Sequence, residues 1–213
     1  MLFSIVVAHY QGQESHEVFC RGVNSLLAQT FRDFEILCYH DGPFLDLSRQ
    51  YPIPIICTEK RHNDWGHSLQ NLGIHAARGD YILCFAADNI LYPNALEMIA
   101  REIQRPHRVL DLEGRGLDTN DVIIFPIIMH GLVKFRGLTH QVKENQQNFY
   151  TILTGLPPIV HNIDAMQLVM KRELWLKEGG WHVHGETSDG IMYQKFAEKY
   201  GYRNVGPILG EHF

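Results

Sequence analysis

Tyr81–Asn89 reads YILCFAADN. Five residues, Tyr81 to Phe85, are apolar or aromatic without a polar interruption, and the chain then turns polar at Asp88 and Asn89. A short continuous apolar run bounded by a polar turn is the pattern of a strand covered on both faces. Pro93 follows and suits the first turn of a helix, here expected to run to about Gln104. Upstream, Ser68 to Ala77 has helical spacing and Gly79 ends it. Ile53 to Cys57 is expected as a short strand. Before it, Phe34 to Tyr39 (FEILCY) is another buried strand and closes on the turn Asp41-Gly42-Pro43. Glu17 to Gln29 carries Val18, Val23, Leu26 and Leu27 near a helical period. Ser4 to Ala8 (SIVVA) is the first strand and leads into His9-Tyr10.

Apolar strands alternating with helices predict an α/β domain with a mostly parallel central sheet flanked by helices. Such sheets bind ligands beyond the carboxyl ends of their strands. His9-Tyr10, Asp41 and Asp88 stand at three of those ends, so strand polarity alone predicts that they share one crevice.

The second half is less regular. Residues 105–121 read as an exposed polar loop. Val122 to Met129 (VIIFPIIM) is apolar, and Pro126 argues for an edge strand or a bulge. Residues 131–160 carry weak signals. Ala165 to Lys177 reads as a strand (MQLVM) followed by a short helix, and Ile191 to Tyr200 as an amphipathic helix with Ser188 or Asp189 near its start.

A chain of 213 residues with 45% hydrophobic and 20% charged residues fits one domain with a sizeable core. The net charge of −5 gives no general attraction to nucleic acid or to an anionic membrane. Cys20, Cys38, Cys57 and Cys84 form no C-x-x-C pair, and three sit inside apolar runs. That is the habit of reduced, buried thiols, and it predicts a cytoplasmic home. No apolar run reaches membrane-spanning length, so no transmembrane segment is expected.

Neither G-x-G-x-x-G nor G-x-x-x-x-G-K-[ST] occurs, so the two usual backbone cradles for phosphate are missing. A crevice lined with carboxylates would repel a bare diphosphate. A divalent cation bridging Asp88 to phosphate oxygens removes that conflict. A histidine ligand would move the preference from Mg2+ toward Mn2+.

Four stretches together resemble glycosyltransferase family 2 of the GT-A fold: SIVVAHYQG, SLLAQTFRDFEILCYHDGP, NLGIHAARGDYILCFAADNILYPNALE, and GGW followed by SDGIMYQKFAEKYGY. The resemblance implies a single GT-A domain over 1–213, with a nucleotide-sugar-binding half (1–104) and an acceptor-binding and catalytic half (122–213). Separately, and carried by no quoted residue, the chain is expected to be part of a longer one, the first domain of a multidomain, virus-encoded glycan-assembly protein. Carried over by position, Ala8, His9, Tyr10 and Gln11 wall the nucleotide pocket and Asp41 accepts a hydrogen bond from the base. The D-x-D metal motif falls on Ala86-Ala87-Asp88. Its first aspartate is alanine here, which puts the contact to the ribose or to a water, and metal affinity, in question. Asp88 remains as the direct Mn2+ or Mg2+ ligand, with Ala87 and Asn89 beside it. His212 would complete the metal shell.

The family's general base maps onto Asp189, with Ser188 in the place of the preceding glutamate. A carboxylate at a helix N-terminus is expected to be held ionised by the dipole. His67 and Trp181 are further candidates for substrate contact. The implied reaction is metal-dependent, inverting transfer of a sugar from a nucleoside diphosphate, a UDP-sugar by family frequency with UDP-glucose as first choice, to a hydroxyl of a glycan or other acceptor.

Each residue also has a plainer reading. Asp41 could serve only its turn, Asp88 a strand end, and Asp189 a helix start. Trp181 could be core, and Trp65-Gly66-His67 could simply shape a loop. Two rival functions follow. One is a metal-dependent hydrolase using His182 and His184 with Glu186 and Asp189. The other is a non-catalytic nucleotide-sugar binding module, suggested by the alanine in the metal motif.

Overall fold

The computed structural model describes residues 1–12, 14–105, 109–110, 116–117, 121–130, 140–144, 148–183, 185 and 187–213. The strands are β1 Phe3–His9, β2 Phe34–His40, β3 Ile56–Cys57, β4 Tyr81–Ala86, β5 Ile90–Leu91, β6 Val109–Leu110, β7 Gly116–Leu117, β8 Val122–Ile124, β9 Ile127–His130, β10 His140–Glu144, β11 Asn148–Leu153, β12 Leu168–Lys171, β13 Arg203–Asn204 and β14 Gly210–His212. The helices are α1 His16–Leu27, α2 His67–Ala76, α3 Ala95–Gln104, α4 Arg172–Lys177 and α5 Ser188–Tyr200, and a 3-10 turn spans Ala165–Gln167.

The central sheet has the order β13-β8-β12-β4-β1-β2-β3. β1 pairs in parallel with both β2 and β4, β2 with β3, and β13 with β8. β12 runs antiparallel to both its neighbours, so it is the one reversed strand of the seven. The sheet is therefore mostly parallel, as its near-continuous apolar strands require. Burial explains those runs: Phe3, Ile5 and Val7 of β1 and Tyr81, Leu83 and Phe85 of β4 face one core layer with α1 and α3. Val6, Ile82 and Cys84 face the other layer, with Leu69 and Ile74 of α2 and Trp175, Tyr193 and Phe196 of α4 and α5. Each fully buried Val, Leu, Ile or Phe among them contributes about 1.5–3 kcal/mol by leaving water.

A second sheet, β10-β11-β9-β14-β5, stands apart from the first, and β6 with β7 forms a two-stranded ladder. Pro126 is where the two larger sheets part. The expectation of an edge strand over Val122–Met129 is corrected here: β8 lies inside the central sheet between β13 and β12, and β9 inside the second sheet between β11 and β14. Proline has no N–H to give a ladder, and the chain changes sheets at that residue. Gln167 is buried beneath the switch and donates from Nε2 to the Phe125 carbonyl (2.8 Å) and the Leu153 carbonyl (2.9 Å).

The strand expected over Ile53 to Cys57 shortens to its last two residues, with Ile56 half exposed at the sheet edge. The loop expected over 105–121 lies largely outside the described residues, as does much of 131–160. Among the described residues, no helix is long and apolar enough to cross a membrane.

Two close approaches set the geometry of the strand ends. A Cβ on Gly22 of α1 would lie 2.1 Å from the Ala87 carbonyl oxygen and 2.8 Å from that of Asn89, so only glycine lets the turn after β4 rest on α1. Gln29, fully buried, donates to the Leu91 and Tyr92 carbonyls and accepts from Leu96 N, which ties α1 to the start of α3.

Candidate active site

Beyond the carboxyl ends of β1, β2 and β4 lies a cleft of about 730 Å³ whose walls include Ala8, His9, Tyr10, Asp41, Ala87 and Asp88. Six of the residues expected at the site are thus brought together, from three strands separated by dozens of residues in sequence. Parallel pairing is the cause, because it puts all three strand ends on one edge.

At one end, Asp41 anchors the loop that follows β3. Its Oδ1 accepts from His62 N (2.8 Å) and the His62 ring (3.1 Å), and its Oδ2 from Asn63 N (3.1 Å). Burial alone would favour the neutral carboxyl, but these donors prevail and hold it below its usual range. Arg61 lies over the Tyr10 ring, 3.5 Å from its centroid, and donates to the Tyr10 hydroxyl at 2.7 Å. The same loop places Asn63 and Trp65 in left-handed backbone (φ 54° and 63°) and leaves Trp65 exposed beside the cleft.

At the other end, Asp88 follows β4 in a turn closed by Asn89 N donating to the Ala86 carbonyl (3.1 Å). Arg21 donates to the Asp88 carbonyl (3.3 Å) and covers the Phe213 ring at 4.0 Å. Phe213 stacks in turn on His130, with centroids 4.3 Å apart. β14 is thereby fastened next to Asp88, and His212 with it. Burial pushes the Asp88 carboxyl up, His212 opposes that, and Glu14 and Asp164 add to it. His212 Nδ1 stands 3.5 Å from Asp164 Oδ2.

Asp189 accepts from Gly190 N at 2.7 Å. Burial, with the charge of Asp164 adding to it, pushes its carboxyl up to about 7. The expectation that the helix dipole would hold Asp189 ionised is corrected here: desolvation and a like charge outweigh the N-terminus of α5. Asp164 thus acts electrostatically on both Asp88 and Asp189 and pairs with His212. It escaped the sequence reading because its visible job is to cap the 3-10 turn, accepting from Met166 N at 3.0 Å.

Asp88 and His212 fit a divalent cation as a pair of ligands. Asp88 Oδ1 and His212 Nδ1 are both buried without a hydrogen-bond partner among the described residues, His212 Nδ1 meeting Asp164 Oδ2 only as an ion-pair contact at 3.5 Å. Among the described residues no three His, Cys, Asp or Glu side chains form a full cage, so phosphate oxygens and water would supply the remaining ligands.

Other expected residues are placed elsewhere. Gln11 accepts from Asp46 N (2.9 Å). Asn89 is buried under the turn. His67 is buried, bonds Ser188 Oγ through Nε2 (2.9 Å) and stacks on Trp181 with centroids 4.9 Å apart. Trp181 is 3% exposed and packs on Trp175 and Tyr193. None of these four is among the residues that wall the cleft, and neither Asp189 nor His212 is among them. Of the rival histidine cluster, His182 faces the Gly180 carbonyl through Nδ1 (3.1 Å), while His184 and Glu186 lie outside the described residues. Glu14, Arg21 and Arg61 were missed in the sequence, where single charged residues in loops and on an exposed helix face carry no signal of their own.

Sequence comparison agrees with this geometry. The chain is 28% identical over 127 residues to an uncharacterised glycosyltransferase of Rickettsia typhi, covering 58% of this chain and 35% of that protein. It is 24% identical over 178 residues to the glycosyltransferase GlyG of Streptococcus pneumoniae, covering 81% of this chain and 50% of that one. The chain therefore spans about a third to a half of these relatives. Among solved structures, S. aureus TarS 1–349 in complex with UDP-GlcNAc superposes with a TM-score of 0.64 at 16% identity, over 99% of this chain and 58% of that one. The mannosyltransferase PcManGT from Pyrobaculum calidifontis, in complex with GDP-Man and Mn2+, gives 0.63 at 13% identity, over 99% and 56%. These likenesses show the fold, which is GT-A. The profile of glycosyl transferase family 2 matches residues 4–175, and the chain belongs to that family.

Proposed function

We propose that this chain transfers a sugar from a nucleoside diphosphate to an acceptor hydroxyl, with inversion at the anomeric carbon and with help from a divalent metal. One observation carries the reading. Asp41 and Asp88 wall a single cleft, and Asp189 is coupled through Asp164 and His212 to the same charged neighbourhood as Asp88. The base of the donor would lie at the Asp41 end, with Tyr10 and Arg61 beside it, and the diphosphate at the Asp88 end. Residues 1–104 would form the donor half and 122–213 the acceptor half.

Asp88 and His212 would hold Mn2+ or Mg2+. When bound, the ion supplies Lewis-acid stabilisation of charge on the leaving diphosphate. Arg21, at the same end of the cleft, adds positive charge there. Asp189 would take the proton of the acceptor hydroxyl as its oxygen attacks the anomeric carbon and the bond to the diphosphate oxygen breaks. A base near 7 is well matched to that task at neutral pH. One base opposite one leaving group is an inverting arrangement.

The neighbours bind different donors, UDP-GlcNAc in TarS and GDP-Man in PcManGT, so the base and sugar are open to direct test. Calorimetry with UDP, GDP, UDP-glucose, UDP-GlcNAc and GDP-mannose, each with and without Mn2+, is that test. Binding of one nucleoside diphosphate, tightened by Mn2+, is expected. No binding by any of them would overturn the reading, and donor binding without turnover on any acceptor would favour a non-catalytic binding module.

A further inference from the structure

The metal motif begins with Ala86 where the family pattern has an aspartate, and β4 offers no replacement. Glu14 is a cleft carboxylate that the reaction above leaves unused. Its Oε1 accepts a hydrogen bond from His9 Nδ1 at 2.8 Å. His9 is itself immobilised: its ring is buried, with centroids 4.3 Å from Phe19 and 5.3 Å from His40. The carboxylate is therefore held in one orientation. Its other oxygen, Oε2, is buried and has no partner among the described residues. Leaving such an acceptor unmatched is destabilising, and a donor on a bound ligand would satisfy it.

The strand order says which part of the ligand comes there. β1 lies between β4 and β2, so the loop leaving β1 sits between Asp88, after β4, and Asp41, after β2. Glu14 is on that loop, tied back to His9, the last residue of β1. A nucleoside diphosphate with its base at Asp41 and its phosphates at Asp88 carries its ribose across this middle position. A ribose diol is a neutral double donor, and a carboxylate is its natural acceptor, as in dinucleotide-binding folds. A second anion near Asp88 would otherwise only raise repulsion, and Glu14 is close enough to do so.

We propose that Glu14 is the ribose-binding residue of this chain: His9 fixes Oε1, and Oε2 accepts a hydrogen bond from a ribose hydroxyl, taking over from the aspartate missing at position 86. The assignment rests on the nucleotide-sugar reading above, and the experiment separates the two.

Calorimetry in Mn2+ would compare UDP with its 2′-deoxy and 3′-deoxy forms, or GDP and its deoxy forms if guanosine is the base that binds. A charge-assisted hydrogen bond predicts that the parent prefers the ribo form to at least one deoxy form by about 10- to 100-fold. In Glu14→Gln the ribo form should weaken by a similar factor, and the gap should close to within about threefold. If the glutamine variant fails to fold, Glu14→Asp, which keeps the charge and shortens the reach, should close the gap in the same way. A gap reopened by Ala86→Asp in the Glu14→Gln background supports the same assignment. A parent without the gap overturns the proposal, as does a gap that persists in the variant. So does equal weakening of ribo and deoxy forms, which is what a purely structural or cation-directed role would give. A parent that binds no nucleoside diphosphate at all instead fails the underlying reading.

Discussion

Asp189→Asn separates the two consequences of burying a carboxylate. The Asp189 carboxyl is pushed from 3.8 to about 7 in the folded chain. Folding therefore binds the proton more tightly, and the folded state holds the extra proton between those two values. Stability falls as pH rises through that window, and above about 7 the cost is present in full. At 1.36 kcal/mol per pH unit the full cost is roughly 4 kcal/mol as a ceiling. Asparagine removes the charge and keeps an oxygen for the Gly190 N–H, while its partly buried amide group costs up to about 1–3 kcal/mol. That offset does not depend on pH, so the informative quantity is how the difference between variant and parent changes with pH. Between pH 5 and pH 8 the parent loses about 3 kcal/mol that the variant does not. For a domain of this size that is a relative gain of roughly 6–12 °C in Tm for the variant. Thermal melts of both proteins across that pH range, with metal chelated, measure it. Transfer should meanwhile fall by about 10²–10⁴-fold, with donor affinity nearly unchanged. Parallel Tm curves would refute the burial argument, and an active variant would remove Asp189 from the mechanism.

Three further outcomes are expected. kcat/KM should rise with pH to a plateau above about 7 as Asp189 loses its proton, while donor binding should not follow that limb; a flat rate profile between pH 5 and 8 contradicts it. Asp88→Ala should abolish the tightening of nucleoside diphosphate binding by Mn2+, and a variant that responds to Mn2+ like the parent shows that Asp88 is not a ligand. Gly22→Ala should cost about 2–4 kcal/mol in urea denaturation, because the new methyl meets backbone oxygens of the turn that carries Asp88. Gly206→Ala, with nothing within 4 Å, should stay within about 0.5 kcal/mol and serves as the control.

The first half of the chain was legible because its signals are local. Apolar runs such as YILCF and FEILCY are buried on both faces, helices alternate with them, and strand polarity then sends Asp41 and Asp88 to one edge. The second half was not. VIIFPIIM is equally apolar whether it forms one strand or two, and nothing near Pro126 says that its halves enter different sheets. Trp181 reads equally as a sugar platform or as core, and only its contacts with His67, Trp175 and Tyr193 decide for burial.

Sequence alone determined the α/β class and placed Asp41 and Asp88 at polar ends of parallel strands, because both depend on periodicity and strand polarity, whereas Asp189 and His212 became candidates only through the likeness of their stretches to the family. Tertiary structure decided which charges share a neighbourhood. β14 pairs with β9 and β5 and brings His212 to Asp164, while the fold dries the space around Asp189 and raises its proton affinity. Desolvation and the field of like charges arise from groups far apart in the chain, so no local pattern encodes them.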